Sequence, residues 1–220
     1  MNQSGVGVAG RRDTRRRRAA ERRRRRRWLV LCSLALLALA VAVALPMLKR
    51  AVDDFTLPLA YADVIRQQAA DKHLDPALIA GVIYAETKFN PRSSSAGAQG
   101  LMQILPQTAR FLARRSGATT FTPADLARPQ VNISYGSYYL RYLLDEYGNN
   151  VVLALAAYNG GQANVDRWLA RAHAGHRTFT VVDIPFPETR AYVQRVLQAQ
   201  RDYRSTYPKE LGYTRVRRSG

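Results

Sequence analysis

Cysteine occurs once in the 220 residues, at Cys32, so no internal disulfide is available and the fold must rest on its core. Histidine is nearly as scarce, with three copies. His173 and His176 stand three apart beside Gly175, with neither a cysteine nor a carboxylate at metal-ligand spacing. We therefore expect no metal and no cofactor. Nothing resembles a Ser-His-Asp order or a glycine-rich phosphate loop. Runs of alternating apolar and polar residues are also missing, which argues against strands and for an all-α fold. Acidic residues are few, 16 against 34 Lys and Arg, for a formal net charge of +18.

That excess is uneven. Residues 1–27 hold 12 Arg against Asp13 and Glu21, a net +10, which leaves +8 for the rest. Basic arms often bind nucleic acid, but this one runs directly into Trp28–Leu48, 21 residues without a charge. A membrane-spanning helix needs about 20, and a positive flank stays on the cytoplasmic side. The arm is thus read as a topology signal, with no nucleic-acid partner expected. The expectation is a single N-terminal transmembrane helix, its N-terminus in the cytoplasm and everything beyond it extracytoplasmic. Ala42-Val43-Ala44 has the form of an export cleavage site. A cleaved signal is therefore the alternative, although its apolar run is usually only about 7–15 residues.

The chain divides by pattern into an Arg-rich arm (1–27), the anchor or signal (28–48), a stalk (49–57), a helical domain (58–207) and a basic tail (208–220). Within the domain, Pro58 starts a helix to about Lys72, and Asp75-Pro76 supplies an N-cap and a first-turn proline for the next. Residues 90–100, rich in Ser, Gly and Pro, read as a loop. Further helices are expected from Pro106 to Arg115, Pro129 to Tyr147, Asn150 to Gly160, Ala163 to Ala172 and Glu188 to about Tyr207.

Glu86 closes the apolar segment that starts at Asp75. Ile79, Val82, Ile83 and Glu86 follow i, i+3, i+4, i+7 spacing and share one helix face. A carboxyl on an inward apolar face has its charged form disfavoured, so it can keep a proton to give near neutrality. The same position also suits an ordinary helix end turned to water.

Four motifs in order decide between these: Ala85-Glu86-Thr87-Lys88-Phe89-Asn90-Pro91, Gly97-Ala98-Gln99-Gly100-Leu101-Met102-Gln103, Ala157-Tyr158-Asn159-Gly160-Gly161, and Pro185-Phe186-Pro187-Glu188-Thr189-Arg190-Ala191-Tyr192-Val193. Over about residues 59–207 they resemble the soluble-type lytic transglycosylases. The resemblance implies a lysozyme-like α-helical domain, close to goose-type lysozyme, that cuts the MurNAc–GlcNAc β-1,4 bond of peptidoglycan. The glycan strand is the implied partner, with the membrane held through residues 28–48.

By the same resemblance Glu86 is the single catalytic acid. Substrate contacts fall on Thr87, Gly100, Met102, Gln103, Tyr158, Asn159 and Tyr192. Most glycosidases pair two carboxylates; this family lets the sugar's own 6-hydroxyl close on C1 and leaves a 1,6-anhydro end. Asp125, Asp145, Glu146, Asp166, Asp183 and Glu188 lie in no motif that resembles a nucleophile site. Thr87 departs from the family's more usual Ser, which keeps the hydroxyl and adds a methyl. A lysozyme-type hydrolase and a non-catalytic glycan-binding envelope component are the alternatives. The occasion of cutting stays open between wall turnover, division and clearing a gap for a secretion or other envelope machine, which would then be a further partner.

Overall fold

The computed structural model describes Trp28, Leu36 and residues 39–45, 57–175 and 178–213. Contacts divide the chain into Met1–Thr56 and Leu57–Gly220. In the first unit Trp28, Leu36 and residues 39–45 are helical and exposed. Most of the expected anchor, the arm, nearly all of the stalk and the end of the tail lie outside the described residues. Among those described, no helix is long and apolar enough to cross a membrane.

The second unit is helical: α1 (Ala62–Asp71), α2 (Pro76–Thr87), a hairpin of β1 (Arg92–Ser93) and β2 (Gln99–Gly100), α3 (Pro106–Ser116), a 3₁₀ turn (Pro123–Ala127), α4 (Pro129–Glu146), α5 (Val151–Gly160), α6 (Gln162–Ala174), a second 3₁₀ turn (Val181–Asp183) and α7 (Pro187–Thr206). Several boundaries follow from single side chains. Asp75 caps α2 by accepting from the Ala77 N–H at 3.0 Å. Asn150 does the same for α5 through Leu153 N–H at 3.2 Å. Each satisfies a donor that a helix start otherwise leaves without a partner. The first helix begins later than expected, at Ala62, because Tyr61 adopts a left-handed φ of 57°.

Two expectations need correction. The 90–100 segment is not wholly irregular: Arg92 pairs with Gly100 and Ser93 with Gln99 in an antiparallel hairpin. Strands of two residues are too short to show alternation, and Gly97, at φ 82°, makes the turn between them. The helix α2 is also not amphipathic. Every residue from Ala77 to Ile83 is buried, as befits a helix apolar on all sides. It runs through the middle of the core and packs chiefly on α7. Their approach is close, since a Cβ on Gly81 would lie 3.0 Å from the Val196 carbonyl oxygen. This central position holds Glu86 at the end of a rigid rod.

Candidate active site

The rod stops one residue past Glu86. Lys88 and Phe89 take successive positive φ values of 50° and 62°, turning the chain towards the hairpin. Glu86 remains partly accessible while its neighbours Ile83 and Thr87 are buried. Burial raises its carboxyl pKa from 4.5 to about 7. The Tyr192 hydroxyl pulls the other way, followed by the charges of Arg195 and Arg92. Desolvation is the largest influence, so the carboxyl is about half protonated at neutral pH.

Two phenols from different helices flank the acid. Tyr192 of α7 is 2% exposed, and its hydroxyl has no hydrogen bond of ordinary geometry among the described residues. It nevertheless lies near enough to Glu86 to be acted on by that charge. The hydroxyl and the carboxyl act on each other, the phenol lowering the Glu86 pKa and the carboxyl raising that of Tyr192. Tyr158 of α5 donates its hydroxyl to the Met102 carbonyl at 2.8 Å. Burial first and the Glu86 charge second hold both phenols protonated, far above the usual tyrosine range. No other carboxylate among the described residues contributes to the field on Glu86. Asp145 pairs with Arg141, Asp125 caps a 3₁₀ turn, and Asp166 accepts from Tyr147 at 2.9 Å.

The loop from Gln99 to Gln103 connects these groups, and here several expected sugar contacts turn out to face inward. Thr87 is 3% exposed, and its hydroxyl lies 2.8 Å from the Leu101 carbonyl, with the Ile83 carbonyl at 3.2 Å. A hydroxyl has one proton to give, and the shorter contact ties the end of α2 to the loop. Thr87 is a strut. Met102 is completely buried, its thioether laid against Gly136, where a Cβ would fall 2.3 Å from the sulfur. Gly100 is buried as well; a Cβ there would meet Asn132 Nδ2 at 2.2 Å and the Leu126 carbonyl oxygen at 2.7 Å. The lack of a side chain at Gly100 admits the Asn132 amide. Gln103 stays partly exposed, but its amide donates to the carbonyls of Arg92 and Gly100, both at 2.8 Å. Only its oxygen remains to meet a ligand. Asn159 is exposed, and its oxygen accepts from Thr189 at 2.8 Å. It does not cap its helix, because α5 continues to Gly160.

Sequence reasoning passed over three contributors. Arg92 donates to the Glu86 carbonyl at 2.9 Å; inside a Ser-rich loop it carried no periodic signal. Arg195 lies one turn beyond Tyr192 on α7. Asn132 is a wholly buried amide on α4, and its position between Val131 and Ile133 was the available clue. A cleft of about 460 Å³ elsewhere, lined by Asp71, Lys72, Ser116, Tyr135 and Tyr138 among others, includes none of the residues around Glu86. Among the described residues there is also no group of His, Cys, Asp and Glu able to hold a metal.

Comparison with known proteins shows the family of the chain. The family described as Transglycosylase SLT domain matches residues 63–178. The soluble lytic murein transglycosylase of Escherichia coli (strain K12) is 35% identical over 150 residues, covering 67% of this chain and 23% of that protein. Membrane-bound lytic murein transglycosylase C of Actinobacillus pleuropneumoniae serotype 5b is 31% identical over 166 residues, with 65% and 45% covered. The crystal structure of the 70 kDa soluble lytic transglycosylase from Escherichia coli superposes with a TM-score of 0.63 at 35% identity, covering 68% of this chain and 25% of that one. An inactive mutant of the Pseudomonas aeruginosa lytic transglycosylase gives 0.62 at 33%, with 68% and 24% covered. The chain thus spans about a quarter of the length of the soluble relatives.

Proposed function

The chain belongs to the transglycosylase SLT family, and on that premise we propose that it is a lytic transglycosylase cleaving the MurNAc–GlcNAc β-1,4 bond of peptidoglycan, with Glu86 as its acid. The observation that carries this is the Glu86 carboxyl, held protonated up to about pH 7 at the accessible end of a buried helix. In the first step the proton passes from Glu86 to the glycosidic oxygen as the C1–O bond breaks. In the second, the muramyl 6-hydroxyl oxygen bonds to C1 and its proton returns to the Glu86 carboxylate. Atoms balance without water, and one group serves as acid and then base. Tyr192 would steady the carboxylate by donating its hydroxyl, while Tyr158 walls the acid from the other side with its own proton held by Met102. The Gln103 oxygen and the exposed Asn159 would meet the sugar, while Thr87, Gly100 and Met102 support them from behind.

Digestion of purified sacculi followed by mass spectrometry tests the chemistry. Muramyl ends lighter by one water than the lysozyme products are expected. Reducing ends of hydrolysed mass would instead make the chain a hydrolase, and intact sacculi a binding component.

We also propose that residues 28–48 anchor the enzyme in the cytoplasmic membrane, with the domain on the periplasmic or outer side. The support is the charge-free stretch of 21 residues behind 12 arginines. Cell fractionation with a C-terminal tag is expected to leave full-length chain in the membrane pellet. A shorter soluble species starting near Leu45 would establish cleavage instead.

A further inference from the structure

The loop Gln99–Gln103 is held from several sides, and one of its holders never meets solvent. Asn132 is 0% exposed. Its oxygen accepts from the Met102 N–H at 2.8 Å, and its amide nitrogen donates to the carbonyls of Gln99 at 2.8 Å and Leu126 at 3.0 Å. All its side-chain protons are engaged. A flipped amide would set donor against donor and acceptor against acceptors, so only one orientation works. The backbone accommodates it on both sides: Gly100 leaves room for the amide, and one turn on, Gly136 leaves room for Met102.

Met102 is the joint that matters. Its N–H is fixed by Asn132 on one side, and its carbonyl receives the Tyr158 hydroxyl at 2.8 Å on the other. Leu101, the preceding residue, carries the carbonyl that takes the Thr87 hydroxyl, one residue past Glu86. We propose that Asn132 is a positioning residue which, through the backbone of Met102, sets the place of Tyr158 against Glu86 and closes water off from the acid. It touches neither Glu86 nor a sugar; it acts by fixing the backbone of Met102, whose carbonyl receives the Tyr158 hydroxyl. The proposal rests on reading Glu86 as the acid. Its test is independent of cleavage, because the carboxyl can be watched directly.

The experiment is a ¹³C titration of the Glu86 carboxyl in the full-length chain. The groups acting on that carboxyl are Tyr192 and Arg195 from α7 and Arg92 from β1. Asn132→Ala changes none of them and adds no charge. The midpoint is expected to fall from about 7 towards the ordinary 4.5 as the loop loosens and water reaches the acid. On sacculi, turnover should fall by roughly 10- to 100-fold, the scale of a misplaced catalytic geometry, with KM changed less than about twofold. In a Tyr158→Phe background the same substitution should shift the midpoint no further, since the link through the Met102 carbonyl is already cut. A folded Asn132→Ala with an unmoved midpoint overturns the proposal, as do additive shifts in the two backgrounds. If Asn132→Ala fails to fold, Asn132→Ser carries the measurement. Loss of folding in both would leave Asn132 a structural residue only, and overturn it too.

Discussion

Glu86→Gln is expected to remove cleavage of purified sacculi, by on the order of 10²–10⁴-fold or more, since that is what a positioned proton donor contributes. Gln nearly matches Glu in shape, so packing beside Ile83, Tyr158 and Tyr192 should survive. The pH behaviour identifies the cause. Activity of the unsubstituted chain needs the protonated acid, so it should fall as pH rises past about 7. Stability carries the same sign. The folded-state pKa is raised, so between 4.5 and about 7 the folded chain holds a proton that the unfolded chain has lost. The stability this group allows is therefore complete below 4.5 and declines through that window. Above it, the ionised carboxyl costs on the order of 3 kcal/mol, at 1.36 kcal/mol per pKa unit. Glu86→Gln should flatten this dependence and leave the variant as stable as the parent, or more so, at pH 8. A variant retaining half its turnover would refute Glu86 as the acid. One that unfolds would show the residue to be structural.

On the proposed reading the gain from burying this acid is catalytic, and the surroundings meet its cost. Ile79, Val82 and Ile83 are each fully buried, with transfer terms of about 1.5–3 kcal/mol apiece. In the sequence their spacing left Glu86 open between a buried acid and an ordinary helix end, and the ordered motifs around it made it the candidate. The helices were legible from local signals: Asp75, Asn150 and the prolines at 76, 106 and 129 mark starts that the structure keeps. What could not be read locally was direction. Thr87, Gly100 and Met102 lie in the right motifs but turn inward, towards partners on β2, α4 and the loop itself. Whether a residue near an acid meets sugar or protein depends on contacts such as Met102 to Asn132, 30 positions apart. Tyr158 to Met102 spans 56. The two-residue hairpin strands were hidden by their length.

Gly100→Ala is expected to destabilise the domain severely, and a comparison with Gly97→Ala separates the two physical reasons. Both glycines have left-handed backbone, φ 75° and 82°, so alanine at either costs roughly 1–2 kcal/mol in conformation. A Cβ on Gly97 would meet nothing within 4 Å, so the conformational cost should be its whole effect. A Cβ on Gly100 would overlap Asn132 Nδ2 at 2.2 Å and Cγ at 2.4 Å. Asn132 is in no position to yield, being bound to Met102, Gln99 and Leu126 at once. Overpacking of this kind adds roughly 1–3 kcal/mol, for a total of about 2–5 kcal/mol. Against a usual stability of about 5–15 kcal/mol, that lowers the melting midpoint by on the order of 5–20 °C. Thermal denaturation of the two variants beside the parent checks the difference. Were Gly100 needed only to admit a sugar, Gly100→Ala would melt like Gly97→Ala and lose affinity for sacculi instead. A midpoint well below that of Gly97→Ala shows that this glycine makes room for Asn132, and that the loop beside the acid is built from within.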